Sequence, residues 1–87
     1  MKALANDLTP FMATHPGELL RDEIEFRNLS QRKLAKQLGV SHSVLNEILN
    51  SRQPVDNEFA LLIEATLGIE ASLLINMQNR YDLNNLG

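Results

Sequence analysis

The stretch from Ser30 to Asn50, SQRKLAKQLGVSHSVLNEILN, decides the fold of this 87-residue chain. Its apolar residues recur at helical spacing, stop at Gly39, and resume at the same spacing one turn later: Leu34, Ala35, Leu38, Leu45, Ile48 and Leu49. Helices this short are unstable alone, so the two must pack across each other. Gly39 can take the left-handed conformation that ends the first helix, and Ser41 stands where the second needs an N-cap. The stretch therefore predicts a helix-turn-helix.

The flanking sequence predicts three more helices, which makes the chain an all-α protein. Proline is well placed in a first turn, so the first helix is expected to begin at His15-Pro16. A fourth helix follows the N-cap Asp56 and ends at Gly68, and a fifth covers residues 71–80. The apolar side of the first helix is predicted to consist of Leu19, Leu20, Ile24 and Phe26.

The length of the chain limits it to one modest hydrophobic core. Residues 1–13 show no sustained period and are expected to form an N-terminal arm. Residues 14–83 are predicted to form the folded domain, and residues 84–87 a frayed tail. No apolar run is long enough to span a membrane and the N-terminus lacks a signal-peptide layout, so the sequence predicts no membrane association and a cytoplasmic location.

Charge is distributed unevenly along the chain. The net charge is −3, but residues 30–53 carry +3, whereas residues 1–29 carry −2 and residues 54–87 carry −4. A net positive charge thus occurs only in the segment that contains the helix-turn-helix and the residues just after it, as expected of a surface that binds nucleic acid. A solvated lysine-rich face remains the alternative interpretation of so small an excess.

The residue inventory argues against an enzyme and against a metal site. His15 and His42 lie on different predicted elements, without a paired carboxylate or a glycine-rich phosphate loop beside them. The chain has no cysteine, which removes disulfides and thiolate chemistry. We expect no catalytic residue, no metal ligand and no cofactor, and we interpret His15 as a residue that starts a helix or packs in the core.

Several short motifs in order resemble one family. Gln31 and the helix-turn-helix spacing resemble the XRE, or lambda-repressor-like, family, and HPGELL, NEILN, TLG and INMQNRYDL resemble its HigA or virulence-associated-protein-I type of antitoxin. The resemblance implies a five-helix lambda-repressor-like domain. It also implies a type II antitoxin, a DNA-binding dimer that represses its own operon and neutralises a RelE-like mRNA-cleaving toxin. Two alternatives stay open: an XRE-type transcriptional regulator without a toxin, and a helical interaction module that no longer binds DNA.

The second helix of the motif is expected to enter the major groove of DNA. If its apolar residues face inward, its polar residues face outward, and Asn46 has the donor and acceptor that match the edge of adenine. Members of the family often place arginines where this chain has Ser43 and Val44, so we expect weak binding by the free dimer, strengthened by a second protein or operator site. The predicted DNA-binding residues are Gln31, Arg32, Ser41, His42, Ser43, Asn46, Asn50 and Arg52.

The resemblance also implies that the fifth helix forms a homodimer. Leu74, Met77 and Tyr81 are the expected contacts, and the alternative is that they complete the core of the monomer. A two-fold dimer would place the recognition helices about 34 Å apart and predicts a palindromic operator. The arm and first helix, which together carry an acidic surplus, are a reasonable surface for a basic toxin, unless their charge simply faces solvent.

Overall fold

The computed structural model describes residues 13–86. Within them the chain forms five helices, and no strand is present in that range. The prediction of an all-α protein of five helices is confirmed. The arm predicted for residues 1–13 lies almost wholly outside the described residues. The helices are α1 (Pro16–Phe26), α2 (Gln31–Leu38), α3 (His42–Leu49), α4 (Asn57–Leu67) and α5 (Ala71–Asn84).

The helix-turn-helix consists of α2 and α3, and its turn is formed as predicted. The Ser30 hydroxyl caps α2 by accepting from the Lys33 N–H at 3.2 Å, and the Ser41 hydroxyl caps α3 by accepting from the Val44 N–H at 3.1 Å. Gly39 ends α2 with a φ of 75°, a conformation that costs glycine little. Local capping chemistry therefore fixes both the end of α2 and the start of α3.

A single hydrophobic core joins the five helices. Helix α3 packs against both α1 and α2, while α4 packs against α2 and α5, and α5 also contacts α1. The six apolar residues that define the motif are all buried. Since α3 contributes only its inner side to this core, the opposite side of α3 is left for solvent. The residues that α3 buries are Leu45, Ile48 and Leu49.

Helix α1 approaches the last turn of α3 with almost no space between the two backbones. A Cβ atom placed on Gly17 would lie 1.9 Å from the Ile48 carbonyl oxygen. No side chain can occupy that gap, so glycine is required by the closeness of the two helices and not by its own backbone angles. This contact joins the first helix directly to the helix-turn-helix.

His15 links the start of α1 to α5. Its Nδ1 accepts a 2.8 Å hydrogen bond from the Gly17 N–H, which makes it the N-cap of α1, and its ring is only 2% exposed. The ring packs edge-on against Tyr81 of α5, with centroids 4.7 Å apart. The interpretation of His15 as a helix-starting and packing residue is confirmed.

Protonation of His15 is expected to destabilise the fold. Burial lowers the pKa of His15 below 6.5, although the carboxylates of Glu18 and Asp82 and the Gln53 backbone oppose that shift. A folded-state pKa below the unfolded value means that this contribution to stability is complete above about pH 6.5 and is lost as pH falls toward the folded pKa. We therefore expect the free energy of unfolding, measured by urea denaturation, to decrease between pH 7 and pH 5.

The control for this prediction is His15→Asn, which keeps an N-cap acceptor but does not titrate in this range. It should be less stable than the wild type at pH 7 because the contact with Tyr81 is lost, yet its stability should change less between pH 7 and pH 5. An equal pH dependence in both proteins would contradict the assignment to His15.

Two sequence expectations for the helix ends are wrong. Phe26 is 86% exposed and does not join the apolar side of α1, because α1 ends there and Asn28 takes a left-handed φ of 58° that turns the chain away. Helix α5 continues to Asn84, beyond the predicted end at residue 80 and into the predicted tail. The Asn85 side chain holds this last turn by donating to the Tyr81 carbonyl at 2.9 Å.

A buried glutamine ties the loop after α3 to α5. The Oε1 of Gln78 accepts from the Val55 N–H at 2.8 Å, and its Nε2 donates to Asp82 at 2.9 Å. A buried N–H without a partner would be costly, so Gln78 is what allows this loop to lie against the core.

In the described part of the chain, no helix is both long and apolar enough to cross a membrane.

Candidate nucleic-acid interface

The polar side of α3 faces away from the core, as the sequence predicted. Ser43, Asn46 and Asn50 are exposed and His42 is half-buried, while the apolar side of the same helix is covered. We call these four residues the outer face of α3. A helix exposed along one side, at the surface of a small domain, has the dimensions that the major groove accepts.

Two asparagines of the outer face are hydrogen-bonded to each other. Asn50 is the C-cap residue of α3, and its Nδ2 donates to the Asn46 backbone carbonyl at 2.9 Å and to the Asn46 Oδ1 at 3.2 Å. Among residues 13–86 the Nδ2 of Asn46 has no hydrogen-bond partner. Asn46 therefore presents a free donor to solvent and keeps one free lone pair on Oδ1.

Four cations lie next to the outer face in the sequence, three on α2 and one in the loop after α3, and we call them the basic rim: Arg32, Lys33, Lys36 and Arg52. All four are exposed, and the ion pair that occurs within residues 13–86 involves none of them, since it joins Arg27 to Glu23. His42 shares a shallow groove with the three cations of α2. The side chains of the basic rim are thus available for phosphate oxygens.

The remaining predicted contacts lie at the N-termini of α2 and α3. Gln31 is half-buried in the first turn of α2, and Ser41 precedes the first turn of α3. The Ser41 oxygen is already an acceptor in its cap, so the hydroxyl has its hydrogen left to donate. Both positions are near the positive ends of helix dipoles, which favour phosphate.

The single acidic residue of α3 is held by a neighbouring side chain. Gln53, in the loop after α3, donates a hydrogen bond from Nε2 to the Glu47 carboxylate. The same loop begins with Ser51 at a left-handed φ of 63°, and the Arg52 N–H returns to the Glu47 carbonyl at 2.8 Å. This turn places Arg52 beside the end of α3. The sequence does not indicate the turn, because its left-handed position is occupied by a serine and not by a glycine.

The geometry and the sequence agree with one family. The sequence model described as Helix-turn-helix matches residues 20–74, which is more than half of the chain. The chain belongs to this helix-turn-helix family. The match begins within α1 and ends within α5, so it includes the whole motif and α4 with parts of α1 and α5.

Relatives of this helix-turn-helix protein include antitoxins. Virulence-associated protein I of Dichelobacter nodosus is 42% identical over 72 residues, which is 82% of this chain and 67% of the relative. An addiction module antidote protein of the HigA family from Coxiella burnetii matches with a TM-score of 0.78 at 29% identity, covering 85% of this chain and 82% of that one. The sequence resemblance to HigA and virulence-associated protein I is confirmed.

A third relative was solved bound to DNA. PA4674 from Pseudomonas aeruginosa, in complex with its operator DNA, matches with a TM-score of 0.77 at 30% identity. The match covers 85% of this chain and 82% of that chain. The lambda-repressor-like arrangement expected for this helix-turn-helix protein is thereby confirmed.

The three residues expected to contact a second subunit differ in their exposure. Leu74 is 0% exposed and belongs to the core of the monomer, so it cannot contact a second subunit, and the edge of Tyr81 is already packed against His15. Met77 is half-buried and remains available. The large apolar residues that α5 exposes are Leu73, one position before Leu74, and Leu83 near the C-terminal end of the helix.

Two residues that hold the helix-turn-helix in place were missed in the sequence. Gly17 is in the first turn of α1, where a glycine is less favourable than alanine, and that cost was a signal of close packing. Gln78 carries no local signal, because its partner Val55 is 23 residues away.

Within residues 13–86 no group of three or more His, Asp or Glu side chains is arranged to hold a metal ion.

Proposed function

We propose that this protein is a DNA-binding antitoxin of a type II toxin–antitoxin system, which represses its own operon as a dimer and neutralises a RelE-like mRNA-cleaving toxin. The observation that carries the DNA-binding half is the outer face of α3, exposed along its length and flanked by four cations without ion pairs in the described residues. The antitoxin half is supported by the HigA-family and virulence-associated relatives.

The outer face supplies base contacts and the basic rim supplies phosphate contacts. Asn46 offers a donor and an acceptor, the pair that the major-groove edge of adenine requires. The basic rim fixes the register of the domain on the duplex and gives the salt-dependent part of the affinity. Because α3 itself carries no lysine or arginine, we expect weak binding by the free protein at physiological salt.

Dimerisation through the outer side of α5 fits the fold. Leu73 is 43% exposed and Met77 is half-buried, and the two lie one turn apart on the same side of α5. Helix α5 contacts α1 and α4, so a second copy bound there leaves the outer face of α3 free. A two-fold dimer of this kind predicts a palindromic operator.

Leu73→Glu should convert the dimer to a monomer. A charge at the centre of an apolar contact between two copies is costly, whereas the same charge on an exposed side chain costs the monomer little. Light scattering after gel filtration measures the mass directly. Leu61→Glu is the matched control, because Leu61 is also exposed but belongs to α4. Equal masses for the two variants would contradict dimerisation at Leu73.

The acidic side of α1 supports a basic partner. Glu18, Asp22 and Glu25 are exposed on this helix and make no ion pair within residues 13–86. An RNA-cleaving toxin needs a positive surface for its substrate, and complementary charge favours rapid association with such a partner.

Co-expression tests the two halves of the proposal together. The protein is expressed with the small open reading frame beside its gene, and binding to the upstream DNA is measured by mobility shift over a series of salt concentrations. Co-purification of the neighbouring protein and preference for the upstream DNA support the antitoxin. DNA preference without a co-purified partner favours the XRE-type regulator, and no preference at any salt would leave only an interaction module.

A further inference from the structure

Asn50 has no donor left for DNA. An asparagine amide nitrogen carries two hydrogens, and the Nδ2 of Asn50 makes two hydrogen bonds, to the backbone carbonyl and to the Oδ1 of Asn46. Only its own Oδ1 remains free, and that atom is an acceptor, as are the phosphate oxygens. The role of a direct DNA contact, which the sequence suggested for Asn50, therefore conflicts with its hydrogen bonds.

The same hydrogen bonds give the Asn46 amide a fixed direction. Its Oδ1 is turned toward Asn50 at the C-terminal end of α3, so its Nδ2 is turned the other way, toward solvent. Rotation of this amide by a half-turn would bring two NH₂ groups together and lose the 3.2 Å hydrogen bond. Asn50 thus selects one of the two amide orientations that an isolated asparagine would sample.

Amide direction matters because adenine and guanine differ in one group of the major groove. Adenine presents the N7 acceptor and the N6 donor, whereas guanine presents the N7 and O6 acceptors. An amide held with Nδ2 toward N7 places Oδ1 beside the donor of adenine, which is favourable, or beside O6 of guanine, which is repulsive. An amide free to rotate can instead give its NH₂ group to O6.

We propose that Asn50 is a positioning residue for base selection: by holding Oδ1 of Asn46, it makes the protein prefer adenine over guanine at one operator position without touching DNA itself. This inference rests on the proposed DNA-binding function. It assigns specificity to a residue at the end of α3, four positions from the side chain that contacts the base.

Binding of Asn50→Ala to a set of single-base operator variants tests the inference. Asn46→Ala first identifies the operator position, as the one where the cost of changing A·T to G·C disappears. At that position, changing A·T to G·C should lower the affinity of the wild type about tenfold. The same base change should lower the affinity of Asn50→Ala only about threefold or less. The costs at other positions and the salt dependence should stay unchanged. Asn79→Ala, an exposed asparagine on α5, is the control and should keep the full cost.

Side-chain ¹⁵N relaxation of the free protein gives a second readout that does not involve DNA. The Asn46 amide should be more rigid than that of Asn79, and it should become as mobile as Asn79 in Asn50→Ala. A full tenfold cost retained in Asn50→Ala, or an Asn46 amide already as mobile as Asn79 in the wild type, would overturn the inference alone. A wild-type protein with no base preference would overturn the proposed function and the inference with it.

Discussion

Gly17→Ala should unfold the protein or come close to it. The added Cβ would lie 1.9 Å from the Ile48 carbonyl oxygen and 2.9 Å from the Ile48 carbonyl carbon, and both are backbone atoms that cannot rotate away. Helices α1 and α3 must therefore separate, which also disturbs the His15 cap. Overpacking of this kind costs about 3 kcal/mol or more, a large share of the stability of a small domain. Thermal denaturation should show a Tm lowered by roughly 12 °C or more.

Gly39→Ala is the matched control for this prediction. Nothing lies within 4 Å of a Cβ added at Gly39, so its cost comes from the left-handed backbone alone. That cost is about 1–2 kcal/mol. A smaller loss of stability for Gly17→Ala than for Gly39→Ala would show that the α1–α3 contact is not as close as the structure has it.

Asn46→Ala should remove most of the sequence preference while leaving the fold intact. Asn46 is exposed, and within residues 13–86 its side chain is hydrogen-bonded to Asn50 alone, so the Tm should change little. Loss of a bidentate base contact lowers affinity for the operator by roughly tenfold to a hundredfold. Fluorescence anisotropy with operator and scrambled duplexes measures both the affinity and the preference.

Arg52→Ala is the comparison that separates base reading from phosphate binding. Arg52 belongs to the basic rim, so its loss should weaken binding to operator and scrambled DNA equally and reduce the salt dependence by about one unit of slope. If Asn46→Ala behaved in the same way as Arg52→Ala, Asn46 would be a phosphate contact and not the residue that reads a base.

The helix-turn-helix could be predicted from the sequence because its determinants are local. Ser30, Gly39 and Ser41 each act on residues within five positions, and the apolar spacing states which side of each helix is buried. The polar side of α3 follows from the same spacing. Local chemistry thus specified the motif and the surface that it presents.

What could not be predicted depends on contacts between distant parts of the chain. Gly17 packs against the backbone of Ile48, and Gln78 is hydrogen-bonded to Val55. Neither contact produces a periodic pattern in the sequence from which it could be predicted. The burial of Leu74 could not be predicted for a related reason. Leu73 and Leu74 are adjacent apolar residues on α5, and only the packing of α5 against α1 and α4 decides which of them is buried.

The Asn46–Asn50 pair shows the same limit at the site itself. Spacing by four residues placed both side chains on the outer face, and the structure agrees. Spacing could not indicate that Asn50 uses its donors on Asn46. Residues on one face of a helix can therefore have different roles, one in contact and the other in orientation.

The central claim is that the outer face of α3 and its basic rim form the DNA-binding surface. Titration of the ¹⁵N-labelled protein with the duplex upstream of its gene, followed by amide chemical shifts, tests it most directly. We predict the largest shift changes at residues 41–46 and in the basic rim, with small changes along the outer side of α5. Shift changes concentrated on α5 or α1, or none at all at saturating duplex, would contradict the claim.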